Sequence, residues 1–298
     1  CTGRRSRLRA RFNSLNEILF KVQAFLDRAN RETVELSDEL LDEFAASCRA
    51  ALKKQFNDKR NERFTIRMSN IGRPLCQLQM EAAGTDAEVP SYSHKMKMLI
   101  GDMIEAAAIT IMRAADVNVE KTQGAVHLQV EDVTIQGTYD VKIDGQIYDI
   151  KSASSYAFAH KFGEDGFRNL CSDDSFGYVA QGFGYAEADG ARFGGWIAID
   201  KSTGEWSVAS VPSDQSEYEE ARRDALDTIT QNVKALSNGA EFKRCFTDVN
   251  ELYYGKPTGN KVLPFSCEYC AFKSACWKSL KTLPKLSSKG QFPKLVNY

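Results

Sequence analysis

The stretch GTYDVKIDGQIYDIKSAS, residues 137–154, decides how the rest of the chain is read. Asp144-Gly145 is a two-residue turn of the kind that closes tight hairpins, and apolar and polar residues alternate on both sides of it as they do in strands. A tight closure sets Asp140 directly opposite Asp149. Because side chains two apart share a face, Tyr139, Val141, Ile143, Tyr148 and Ile150 form the side expected to be buried. Asp140, Lys142, Asp149 and Lys151 form the other, a half-solvated charged face. Directly opposed like charges, with Cβ atoms roughly 4.5–5.5 Å apart, destabilise a strand pair, and the diagonal lysines offset only part of that. A divalent cation between the carboxylates reverses the sign. Mg²⁺ in particular favours one or two carboxylates completed by water and substrate phosphate.

Working outward, the period is helical before the hairpin. Apolar residues at Leu15, Ile18, Leu19, Val22, Phe25 and Leu26 recur at helical spacing, and helices are expected from Ser14 to about Gln55. Gly72 and Pro74 interrupt the pattern and put Cys76 near a turn or a helix start. A helix rich in Ala, Met and Ile follows at about 95–115. From Gly124 the period changes to alternation, giving three consecutive strands that include the hairpin. Residues 173–190 read as a helix despite their glycines, FGGWIAID and EWSVASV as a second hairpin, and 216–239 as an amphipathic helix with a glycine stop. The remainder is loop-rich.

The chain of 298 residues is long enough to bury a large core, with 43% apolar and 27% charged residues. No apolar run approaches the roughly 20 residues that cross a bilayer, so no membrane partner is expected. A formal charge of −1 means that any nucleic-acid contact comes from a local patch. The opening CTGRRSRLRARF, with Arg4, Arg5, Arg7, Arg9 and Arg11, is one such patch, either a solvated or a DNA-contacting arm. Three of the eight cysteines, Cys267, Cys270 and Cys276, form C-x2-C-x5-C, a spacing that wraps a soft metal centre in a reducing compartment. Zinc and an iron-sulfur cluster both suit it. Cys171 reads as an ordinary buried thiol.

Asp140 on one strand, with Asp149-Ile150-Lys151 on the next, resembles the signature of the PD-(D/E)XK nuclease superfamily. Glu105, in GDMIEAAA on the preceding helix, matches the first motif of its RecB-like branch, where many relatives carry His. Gln181 and Tyr185, four apart on one helical face, resemble that branch's Q-x3-Y motif. The C-x2-C-x5-C pattern with one distant upstream cysteine is similar to the four-cysteine [4Fe-4S] staple of AddB-type and CRISPR-associated nucleases. By position the fourth ligand is Cys76, with Cys245 and Cys48 as rivals. These motifs span roughly 76–276.

The resemblance implies an α/β restriction-endonuclease-like core with a mixed sheet of about five strands flanked by helices. It divides the chain into an N-terminal helical region (1–94), a nuclease core (95–212) and a C-terminal helix with a cysteine-rich tail (213–298), together one structural unit. It implies Mg²⁺ or Mn²⁺ held by Glu105, Asp140, Asp149 and the Ile150 carbonyl, with Lys151 acting on the attacking water and on the charge of the transition state. Gln181 and Tyr185 would contact DNA or position the lysine, and Lys142, Lys161, Arg168 and Lys201 are phosphate-contact candidates. The activity expected is hydrolysis of DNA from single-stranded or free ends, in the cytoplasm of a bacterial or phage-infected cell. A structure-specific endonuclease and a non-catalytic DNA-binding scaffold are the alternatives.

Overall fold

A computed structural model describes residues 17–57, 64–163, 165–286 and 295–298. The arginine-rich opening and Leu15 lie outside the described residues. Two helices lead, α1 (Glu17–Ala29) and α2 (Asp38–Phe56), followed by the short α3 (Met68–Ile71) and α4 (Leu75–Ala82), which starts next to Cys76 as Pro74 dictates. Ser37 caps α2 by accepting from the Leu40 amide. The long α5 (Tyr92–Ala114) then feeds β1 (Val119–Val130), β2 (Val133–Ile143) and β3 (Gln146–Ala153). After α6 (Ser155–Lys161), α7 (Gly166–Ser172) and α8 (Tyr178–Asp189) come β4 (Arg192–Asp200), β5 (Trp206–Ser210) and α9 (Gln215–Ser237). The tail carries a hairpin of β6 (Val249–Tyr253) and β7 (Lys256–Val262), the turns α10 (Phe265–Glu268) and α11 (Lys273–Cys276), and the small pair β8 (Thr282–Pro284) and β9 (Leu295–Asn297).

The five-stranded sheet has the order β1-β2-β3-β4-β5. All its pairs are antiparallel except β3 with β4, which run parallel across the α6–α8 crossover. The protein is thus α/β with a mixed five-stranded sheet flanked by helices, as expected. Among the described residues no helix is long and apolar enough to cross a membrane.

Each sheet face has its own core. On one, Ile147, Phe193 and Trp196 pack with Met68, Leu78, Phe183 and Ile229. On the other, Val141, Tyr148, Ile150 and Ile197 pack with Ile18, Val22, Ala108 and Met112. Two helical glycines allow α8 to lie close. A Cβ on Gly182 would stand 2.3 Å from the Phe193 ring, and one on Gly184 would meet Met68 Sδ at 2.4 Å.

Three expectations need correction. The hairpin register is right where it forms, Val141 facing Tyr148 and Ile143 facing Gln146, but the ladder between β2 and β3 stops there. Asp140 and Asp149 are therefore not a ladder pair. Ile135 and Tyr139 belong to the first core and Val141 and Ile143 to the second, so Tyr139 does not join Val141 and Ile143 as expected. Nor is the charged face of β3 solvated. Asp149 is 2% exposed, because β3 is central and covered on both sides. Cys171, at the end of α7, is exposed and not buried.

Candidate active site

The splay of β2 from β3 creates a gap that side chains fill in place of ladder hydrogen bonds. Asp140 Oδ2 accepts from the Ile150 amide at 2.7 Å, so the carboxylate replaces a backbone acceptor where the strands part. From β3, Asp149 and Lys151 project to one side. Their oxygen and ammonium nitrogen are 2.6 Å apart, an ion pair with side chains 3% and 19% exposed.

Glu105 reaches the gap from α5. Gly101, four residues earlier on the same helical face, lies against β3, where a Cβ would make an ordinary 3.6 Å contact with Ser152 Oγ. Gln123, at a left-handed position of β1 with φ 49°, donates to Glu105 Oε1.

The electrostatics follow from burying acids together. Burial pushes the Glu105 carboxyl up to about 7, against the pull of Lys54, and Asp149 and Asp102 add to the rise. Asp140 is raised well above the ordinary carboxylate range by burial, then by Asp149 and Glu105. Burial works against the charge of Lys151, but Asp149, Tyr178 and Asp140 overcome it and hold the side chain as an ammonium. Its Nζ lies 4.5 Å from the centre of the Tyr178 ring, within cation–π range.

Tyr178 opens α8, and the start of that helix is built to hold it. Asp174 accepts from the Tyr178 amide at 2.8 Å and the Val179 amide at 2.7 Å. Gly177 supplies φ 77° at the cap, where its backbone passes against that of Gly72. One turn on, Gln181 Nε2 donates to the Tyr185 hydroxyl at 3.1 Å. Burial pushes that phenol up to about 12, with Asp149 and Asp140 adding to the rise against the Gln181 bond. Glu105, Asp140, Asp149, Lys151, Gln181 and Tyr185 therefore share one electrostatic neighbourhood.

The basic candidates do not join it as free charges. Lys142 is paired with Asp189 at 2.8 Å, Lys161 with Asp173, and Arg168 with Glu217 at 3.7 Å. Lys201 is exposed in the turn between β4 and β5. The cation that does reach the acids is Lys54 of α2. It pairs with Asp102 at 2.9 Å, beside a bond from Gln55 at 2.7 Å, and is held above the ordinary lysine range against burial by Asp102, Glu105 and Asp140. Lys54 and Tyr178 had no sequence motif to mark them. Asp102 had a weak one, its position three residues before Glu105 on one helix.

For the divalent ion that the resemblance implies, the donors are suitable: hard carboxylate oxygens, buried and mutually repelling, with too little positive charge among them. Among the described residues no three His, Cys, Asp or Glu side chains close on one point. At the cysteines, Cys76 and Cys245 both neighbour the triplet, and among the described residues no three thiols close on one point. The Cys76 amide donates to Cys245 Sγ at 3.1 Å. Burial pushes the Cys267 thiol up to about 11, with Cys270, Cys276 and Cys245 near enough to add to it against Trp277. Cysteine sulfur, once deprotonated, suits a soft centre, and Cys76 and Cys245 both stand near Cys267.

No family model matches the chain, and no curated protein matches it. Among solved structures it is similar to SSO0001, at 14% identity over 78% of this chain and 95% of that one, with a TM-score of 0.42. It is also similar to a candidate exonuclease of Eubacterium rectale, at 14% identity over 71% of this chain and 90% of that one, with a TM-score of 0.37. Likenesses this distant transfer no residue roles to the present chain.

Proposed function

We propose that this protein is a metal-dependent nuclease that hydrolyses DNA phosphodiester bonds, working as an exonuclease on single strands or free ends. One observation carries the reading: three carboxylates, Glu105, Asp140 and Asp149, share a buried gap between splayed strands with an ammonium, Lys151, ion-paired to one of them. Acids in such a place repel, and either protons or a further cation relieve them. Asp140 and Asp149 would hold Mg²⁺ or Mn²⁺, with Glu105 and the Ile150 carbonyl as the further ligands that the resemblance implies. When bound, such an ion supplies a water of lowered pKa and positive charge beside the phosphoryl oxygens.

In the metal-free protein the surrounding acids hold Lys151 as an ammonium. Its role is to stabilise negative charge as it grows on the phosphoryl oxygens, a function worth most where water is excluded. Tyr178 and Asp149 fix where that charge points. Tyr185 is a core residue, 3% exposed and so closed to a DNA strand, and with Gln181 bonded to it its role is to position the lysine and acids. The cysteines would hold an iron-sulfur or zinc centre of structural role, and the enzyme would serve replication, recombination or repair in the cytoplasm.

The test is digestion of end-labelled linear and circular single-stranded DNA with Mn²⁺, Mg²⁺ or a chelator, using protein purified without oxygen. Metal-dependent loss of the linear strand alone is the expected result. Cutting of the circle would make the enzyme an endonuclease, and failure to cut either substrate would overturn the reading.

A further inference from the structure

A row of aromatic rings leaves the candidate active site and runs over the surface toward the cysteine-bearing tail. It begins at Tyr178, whose ring faces the Lys151 ammonium at 4.5 Å. Phe176 stacks on Tyr178 at 5.5 Å between centroids, with 25° between planes. Tyr269 lies 6.4 Å from Phe176 with 55° between planes, and Phe265 5.1 Å from Tyr269 with 63° between planes. The two segments that carry these rings are far apart in sequence but joined in space, with Ser175 Oγ and Ser266 Oγ 2.8 Å apart. The outer rings are left open, Phe176 and Phe265 at 43% and Tyr269 at 64% exposure. Leaving three large neighbouring rings exposed costs hydrophobic free energy that a merely structural cluster would recover by burial.

We infer that this row is a stacking platform for the unpaired nucleotides of a DNA strand whose scissile phosphate lies at Lys151. The inference rests on reading the carboxylate and lysine site as a nuclease. Three features favour bases over a protein partner. The row is wholly aromatic, with no aliphatic anchor among its four members. It is continuous with the group that would meet the phosphate. Arg73 stands near enough to Tyr178 to act on its phenol, placing positive charge beside the row where a backbone would pass. Every base has a π-face, so such a platform accepts any sequence, at about 1–3 kcal/mol per base. In a duplex those faces are hidden between neighbouring pairs, so the platform selects unpaired strands.

The experiment is fluorescence anisotropy with labelled oligonucleotides, an oligo-dT strand, a mixed-sequence strand and a blunt duplex, on the full chain with chelator present so that nothing is cut. Phe176→Leu and Tyr269→Leu keep apolar volume but remove the π-face, and Tyr269→Trp restores one. Thermal melting checks that each variant is folded. Each leucine variant is expected to weaken binding of both single strands about tenfold, with the salt slope unchanged because no phosphate contact is lost. The tryptophan variant should bind as wild type does. Leucine variants that bind like wild type, or a wild type that holds the duplex as tightly as the single strands, would overturn the platform. Adding Mn²⁺ to the same samples separates the two ideas. Cleavage with unaltered binding by the leucine variants sinks the platform alone. The expected binding losses without any cleavage leave the platform standing and sink the nuclease reading.

Discussion

Lys151 stands between the Asp149 carboxylate, 2.6 Å from its ammonium, and the Tyr178 ring at 4.5 Å. Removing it strands a buried negative charge. Lys151→Met should therefore cost about 3 kcal/mol of stability in chelator, read by urea denaturation, and lower metal-dependent cleavage by about 100-fold or more. The double variant Asp149→Asn with Lys151→Met should recover most of the stability and none of the cleavage. Recovery of both would reduce the pair to a packing feature. The Asp-x-Lys spacing was legible because period-two geometry puts both side chains on one face. The burial of Asp149 was not, since the covering of the second face of β3 comes from residues far along the chain. Lys54 was invisible for the same reason. Its neighbours Glu105 and Asp140 are supplied by folding, and nothing local marks an exposed helical lysine.

At the scale of elements, the site depends on how α8 begins. Gly177 has φ 77°, and a Cβ there would stand 2.3 Å from the carbonyl carbon of Gly72. Gly177→Ala should destabilise the protein by about 1–3 kcal/mol through strain and overpacking. Asp174→Ala should cost about 1 kcal/mol by leaving the Tyr178 and Val179 amides without their acceptor. Both can be measured as shifts of the urea midpoint, and an unchanged midpoint for Gly177→Ala would mean that the two backbones do not meet. The helix itself was readable through its glycines because its apolar positions keep the helical period. The β6–β7 hairpin was not foreseen. Pro257 and Gly259 sit inside it, and most of its side chains face solvent, so no alternation survives. β1 likewise starts at Val119, five residues before the alternation becomes clear, because Gln123 at positive φ interrupts it.

Across the whole molecule, the segment around residues 79–88 is stitched to the C-terminal part of the chain beside the cysteines. The Glu88 amide donates to the Ala271 carbonyl at 2.7 Å, and its carboxylate pairs with Lys273 at 2.9 Å and accepts from Ser274. Gln79 donates to the Ala240 carbonyl at 2.8 Å, and Arg244 to the Cys276 carbonyl at 2.6 Å. Burial works to raise the Glu88 carboxyl, but Ser274 and Lys273 hold it below the ordinary value of 4.5. A depressed acid binds fewer protons folded than unfolded, so its contribution is full above about pH 4.5 and fades as pH falls through the folded value. Glu88→Gln should then show a shallower loss of melting temperature on acidification than wild type. An identical acid profile would remove Glu88 from the stitching.

The C-x2-C-x5-C triplet was legible from spacing alone, whereas the nearness of Cys245 to Cys76 depends on two distant segments meeting. If these thiols hold a centre, Cys270→Ser should lose bound metal by elemental analysis and melt several degrees lower. Wild-type metal content in that variant would argue against the triplet as ligands.

The carboxylate gap faces its sharpest trial in a single-turnover measurement with end-labelled linear single-stranded DNA and Mn²⁺, comparing wild type with Asp149→Asn. Glu105, Asp140 and Lys151 remain in that variant, and the substitution is nearly isosteric. Rapid shortening of the strand by wild type and a loss of about 100-fold or more in the variant is the expected result. Equal rates for the two proteins would place the chemistry elsewhere, and an inert wild type would mean that the gap between β2 and β3 is no nuclease site.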